Sequence, residues 1–248
     1  SSDWQTCALP ICIEDAVKWE RRARALRHQL AESAWCQEKG HFSEKPGLVE
    51  NRVSQHTQVE AILAGVADAR QCEQLLPKLM EEHKFAPMLR HQSLRLAEAL
   101  DHIDRVDLLP GKPLDEFRQM LARGLSTCVE GGLDDERSDC HAWSAWAPYT
   151  LLTMVLGLRP REPGFESLLV RPRFVFANAR GTLPTPHGPA HLEWTTQPDE
   201  WIAISLKVPE GLETELALPG TESRILSEGG VLRELLPPRE KESLSATN

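Results

Sequence analysis

No apolar run in this sequence is long enough to cross a bilayer as a helix. The longest, such as Tyr149 to Leu158, fall far short of the roughly 20 residues a span needs. Positive charge is also scarce: 28 Lys and Arg stand against 37 Asp and Glu, a formal charge of −9. No basic stripe is present to follow a phosphate backbone, which argues against nucleic acid as a partner and leaves room for a neutral ligand. The six cysteines, at 7, 12, 36, 72, 128 and 140, include no C-x-x-C pair and keep no regular interval. Neither a zinc site nor a disulfide framework follows from them, and reduced thiols are the expectation. Reduced thiols favour the cytoplasm, while an export signal carried upstream would change that, so localisation stays open. Also missing are a G-x-S-x-G elbow, a phosphate loop, an H-E-x-x-H pair and a dinucleotide fingerprint.

What is present is an ordinary globular composition, with 41% apolar residues, in a chain of a length that accommodates one large domain or two ordinary ones. From Ile13 to about Gly157 apolar residues recur at three and four, predicting helices over Ile13 to Trp35, Gln55 to Gly65, Ala69 to Glu82, Leu89 to His102, Leu114 to Arg123 and Ala142 to Leu156. After Pro160 the period becomes two. Strands are predicted over Ser167 to Arg173, Ala190 to Trp194, Trp201 to Val208 and Glu213 to Leu218, with turn signals at Pro163-Gly164, His187-Gly188, Pro198-Asp199, Glu210-Gly211 and Gly229-Gly230. The proline- and glycine-rich stretch Gly181 to Pro189 reads as a fixed loop at a strand end. The fold class is therefore α+β with two domains: helices over 12–160, a small antiparallel β-sandwich over 161–236, and a charged, serine-rich tail over 237–248 that is expected to be disordered.

Residues 1–11 show neither periodicity nor the charge pattern of a signal peptide. Gln5 to Ile11 resembles the translation of a sequencing-adapter oligonucleotide, so the segment is expected to be foreign to the native protein. An ordinary flexible terminus is the alternative.

Two strings carry a resemblance to a known family. Ser138-Asp139-Cys140-His141-Ala142-Trp143-Ser144-Ala145-Trp146 leads into Leu151 to Pro160, and Gly181-Thr182-Leu183-Pro184-Thr185-Pro186-His187-Gly188-Pro189 follows. Together they resemble the C-terminal part of bacterial α-L-rhamnosidases, inverting glycosidases built on a six-hairpin α/α toroid. The resemblance implies a partial toroid of about six helices followed by a β-sandwich, and a rhamnose-containing glycoside as the substrate. Neither membrane nor nucleic acid is implied as a partner, and no oligomeric state. No cofactor and no metal are required for such chemistry, and the sequence argues neither for nor against a structural ion. A partial ring exposes apolar helix faces along its open edge, from which poor solubility or dimerisation follows.

Inverting hydrolysis uses two carboxyl groups about 6.5–9.5 Å apart, one to protonate the leaving group and one to activate water. By resemblance Glu130 is the general base, with Val129 where the family usually has an aromatic residue. The resemblance places the family's general acid upstream of anything here, so this chain alone is expected to be inactive. The resemblance also matches His141 to a position that contacts the sugar, where a neutral imidazole can both donate and accept. Trp143 and Trp146, three apart on a helix, are candidates for stacking on the sugar, and Trp146 replaces a histidine of the family. His56, in Ser54-Gln55-His56-Thr57, matches a segment at the mouth of an inner helix.

On the residues alone the ordinary readings are different. Glu130 is then a solvated surface carboxylate, His141 a capping or core histidine, and His56 a solvent-facing residue behind the N-cap Ser54. At least one tryptophan is then part of the core. Two other functions also stay open: a toroid glycosidase for a different sugar, and a non-catalytic carbohydrate-binding or scaffolding protein.

Overall fold

The computed structural model describes residues 13–45, 53–81, 84–131 and 138–238. The segment 1–11 and most of the expected tail lie outside these residues. The chain divides into two compact units between Pro148 and Tyr149, whereas the sequence placed the division at Pro160.

The first unit is helical. Among the described residues it contains α1 (Ile13–Ser33), α2 (Gln55–Leu63), α3 (Ala69–Met80), α4 (Leu94–His102) and α5 (Lys112–Ala122), with a short hairpin of β1 (Trp35–Cys36) and β2 (His41–Phe42) after α1. Ser54 caps α2 as its sequence predicts, its side chain accepting from Thr57 N–H. Asp68 opens α3 with a reciprocal capping box to Gln71. Val59, Ile62, Leu75, Leu79, Ala97 and Leu100, spread over α2, α3 and α4, form the core.

Two buried glutamines fasten α2 to its surroundings without leaving a polar atom stranded. Gln58 Oε1 accepts from Phe42 N–H at 2.8 Å while its Nε2 donates to Phe42 O at 2.9 Å. Gln55 donates to Leu79 O at 3.1 Å and accepts from Met88 N–H at 2.8 Å. On the surface, Arg95 of α4 forks onto both oxygens of Glu60 on α2 at 2.8 Å, and that hydrogen-bonded guanidinium holds the Glu60 carboxyl below its ordinary range. Burial pushes His41 down and the Cys72 thiol up. By contrast α1 buries no residue and leaves Ile13, Val17, Trp19, Leu26 and Leu30 exposed.

Two helices expected to be continuous are broken. Leu89 to His102 is a 3-10 turn, Arg90–Gln92, followed by α4. Ala142 to Leu156 is a 3-10 turn, Ala142–Ser144, then α6 (Ala147–Thr150), which widens into a π-helical turn over Leu151–Val155. The interruption falls at Ala145, whose ψ of 39° is not helical, and Pro148 stands in the first turn of α6, where its missing N–H has no intrahelical partner to lose.

The second unit holds two four-stranded sheets. One has the order β10–β7–β6–β5, from β5 (Asn178–Thr185), β6 (Gly188–Thr196), β7 (Ile202–Val208) and β10 (Gly230–Leu236), and is antiparallel throughout. The other has the order β3–β4–β8–β9, from β3 (Leu158–Pro160), β4 (Ser167–Val170), β8 (Glu213–Leu216) and β9 (Arg224–Leu226). Its β4 and β8 run parallel, because the chain passes through β5, β6 and β7 before returning, and parallel neighbours need such a long crossover.

Ile202, Ile204, Leu206 and Val208 alternate inward along β7. Trp194 is buried edge-on to Phe174, 5.2 Å between ring centres, and donates to Phe176 O. The expected loop Gly181 to Pro189 is instead the hairpin joining β5 and β6, with Thr185 opposite Gly188. Pro184 is tolerated because β5 is an edge strand. Pro189 lies ahead of His191, where pairing with β7 begins.

Candidate active site

After α5, Gly124 adopts φ +73°, and the segment beyond it pairs with the residues leading to His141. Glu130 N–H donates to Ser138 O at 3.0 Å, His141 N–H donates to Cys128 O at 2.8 Å, and the Thr127 hydroxyl donates to Asp139 O at 2.5 Å. Val129 is buried between Cys128 and Glu130 and anchors this pairing. The pairing brings Glu130 and His141 together: His141 Nδ1 lies 4.0 Å from Glu130 Oε2, and only 16% of the Glu130 side chain and 26% of the His141 side chain are exposed. His141 is extended and precedes the 3-10 turn, accepting from Ser144 N–H at 3.0 Å.

A third group joins them that the sequence reading passed over. His91, in the turn Arg90–Gln92, stacks edge-on to His141 with ring centres 5.3 Å apart, and one donor atom from each of His91, Glu130 and His141 lies within 4.8 Å of the others. Its position is fixed from the preceding residue. Arg90 is buried, its Nε donates to Glu116 Oε2 at 3.0 Å, and its carbonyl accepts from Trp146 Nε1 at 3.1 Å. Among the described residues His91 Nδ1 and His141 Nε2 are buried and have no hydrogen-bond partner.

Trp143 borders both imidazoles, 6.3 Å from His91 and 5.9 Å from His141 between ring centres, and is 74% exposed. Trp146 does not share its face. It is 3% exposed, packs edge-on against Phe117 at 4.8 Å and spends its N–H on Arg90. With no ring face left open, it supports the site from beneath rather than stacking on a ligand. His56, from the first turn of α2, reaches Gln92 Oε1 at 2.6 Å and so touches the residue next to His91.

Comparison with known proteins bears on both units. Residues 157–233 match the model of the bacterial alpha-L-rhamnosidase C-terminal domain family. The chain is similar in structure to a GH78-family rhamnosidase of Bacillus sp. GL1, at 25% identity and a TM-score of 0.73, over 84% of this chain and 24% of that one. It is also similar to an α-L-rhamnosidase of Aspergillus terreus, at 16% identity and 0.74, over 94% and 28%. An α-L-rhamnosidase of Streptomyces avermitilis, solved with L-rhamnose, matches at 16% and 0.64, over 94% and 25%. No curated protein matches it in sequence.

The chain is thus similar in structure to the C-terminal part of α-L-rhamnosidases and spans about a quarter of their length. Its α+β architecture, helices followed by sheets, matches the aligned part of these structures. Within the rhamnosidase-like helical unit, the structure brings together Glu130, His141 and Trp143, adds His91, sets His56 at the edge and moves Trp146 into the core.

Proposed function

We propose that this chain carries the base-bearing side of an inverting α-L-rhamnosidase site. Glu130 takes the proton from a water that attacks the anomeric carbon of a terminal α-L-rhamnosyl residue, a role that calls for an ionised carboxylate within hydrogen-bond reach of that water. His141 and His91 donate to and accept from sugar hydroxyls. Trp143 offers a ring face to the apolar C–H side of the sugar. His56, through Gln92, borders the same cluster. The proton donor for the leaving group comes from polypeptide outside these residues, and the chain alone does not turn over substrate.

One observation supports this above the rest: a largely buried carboxylate sharing a cluster with two imidazoles and an exposed tryptophan, in a chain similar in structure to α-L-rhamnosidases. In a polypeptide extended to the length of those relatives, Glu130→Gln is expected to lower kcat on 4-nitrophenyl α-L-rhamnoside by about 100- to 10,000-fold, with NMR of the wild-type reaction giving the inverted anomer first. Undiminished turnover removes Glu130 from its role. Hydrolysis of a glucoside but not the rhamnoside gives the site to another sugar.

A further inference from the structure

We infer that His91, Glu130 and His141 form a binding site for one divalent transition-metal ion of the zinc type, sharing its donors with the sugar site. Buried nitrogens without hydrogen bonds are uncommon, because each costs about 1–3 kcal/mol of unmet solvation. Here two of them, His91 Nδ1 and His141 Nε2, belong to neighbouring rings in one cluster. Each ring has a lone pair to give when neutral, and Glu130 adds an anionic oxygen.

Two imidazoles and a carboxylate suit zinc, copper or nickel, whereas calcium and magnesium ask for oxygen alone. The same set with a fourth position left to water is the donor pattern of open zinc sites. One donor atom from each of the three residues lies within 4.8 Å of the others. Tetrahedral zinc ligands stand about 3.4 Å apart, so side-chain rotation has to close the cluster by roughly an ångström. The half-buried rings and the exposed Trp143 beside them leave a path for a hydrated ion. Bound there, the ion removes Glu130 from the water it is proposed to activate and occupies the imidazole nitrogens proposed for the sugar. The metal site stands on geometry alone, while its inhibitory effect rests on the proposed hydrolase reading.

Cobalt(II) titrated into the 248-residue chain reports its own ligands. Saturable 1:1 binding is expected, with visible d–d absorption and no thiolate charge-transfer band. That separates the site from Cys140, which is exposed, and from Cys36 and Cys128, which are half-buried. Zinc displaces the cobalt, and calcium and magnesium do not. His91→Ala and His141→Ala each weaken binding by about tenfold or more, with unchanged circular dichroism, and His28→Ala has no effect.

A thiolate band, or binding indifferent to both histidine variants, identifies adventitious ligands and overturns the inference. In the extended enzyme zinc is expected to inhibit competitively with 4-nitrophenyl α-L-rhamnoside, and chelator to restore activity. Cluster-dependent binding without inhibition upholds the metal site and counts against the hydrolase reading.

Discussion

Trp143 and Trp146 stand three apart in sequence and sit in opposite environments. Helical spacing would set them side by side, but Ala145 leaves helical geometry between them, so one ring goes to solvent and the other beneath Arg90. Replacing Trp146 by Ala opens a cavity against Phe117 and strands the Arg90 carbonyl, a loss expected at about 3–5 kcal/mol. Trp143→Ala should stay within about 0.5 kcal/mol. Urea denaturation followed by circular dichroism measures both, and similar losses at the two positions would contradict this assignment of roles. The same contrast sets the limit of what sequence carries at this scale. Glu130 and His141 were nominated by resemblance to a known family, and the structure sets the two side chains 4.0 Å apart. His91 was not, because Arg90-His91-Gln92 is an unremarkable polar stretch. It becomes a site residue only when Glu116 and Trp146, from distant parts of the chain, fix Arg90.

Elements followed their periodicity where one face meets one core. The helices α2, α3 and α5 begin and end within a few residues of the apolar pattern, and the alternation of β7 is that of its sequence. Gly181 to Pro189 misled because glycine and proline mark loops in general but are also admitted to an edge strand and its turn. Gly181 has a packing reason as well: a Cβ there would come within 2.6 Å of Leu156 Cδ2. Gly157, between the π-helical turn and β3, is more tightly constrained. It adopts φ +77°, and a Cβ would fall 2.0 Å from Arg171 O, a backbone atom that cannot swing aside. Left-handed geometry costs a non-glycine residue about 1–2 kcal/mol, and overpacking about 1–3 more. Gly157→Ala should therefore destabilise the second unit by roughly 2–5 kcal/mol, read as a lower urea midpoint for Trp194 fluorescence. An unchanged midpoint would mean that the backbone relaxes freely there.

At the scale of the whole molecule, the switch from a period of three and four to a period of two correctly announced helices followed by sheets. The boundary was harder to read, because the apolar run Tyr149 to Leu158 carries no mark of which core will bury it. In the structure that run belongs to the second unit: Leu152 and Leu156 lie over Gly181 of β5, Leu158 is fully buried, and β3 pairs with β4 from Leu158 to Pro160. An excised segment 149–238 therefore keeps these contacts, whereas 161–238 loses the π-helical turn and a sheet strand together. The longer segment is expected to unfold in urea in one cooperative transition with Trp194 emission characteristic of a buried indole, Trp194→Phe separating its signal from that of Trp201. The shorter segment, deprived of Leu156 and Leu158, should give a broad or absent transition, since each buried leucine lost costs about 2–5 kcal/mol against a total near 5–15. Equal cooperativity in the two segments would return the boundary to Pro160 and make the run a part of the helical unit.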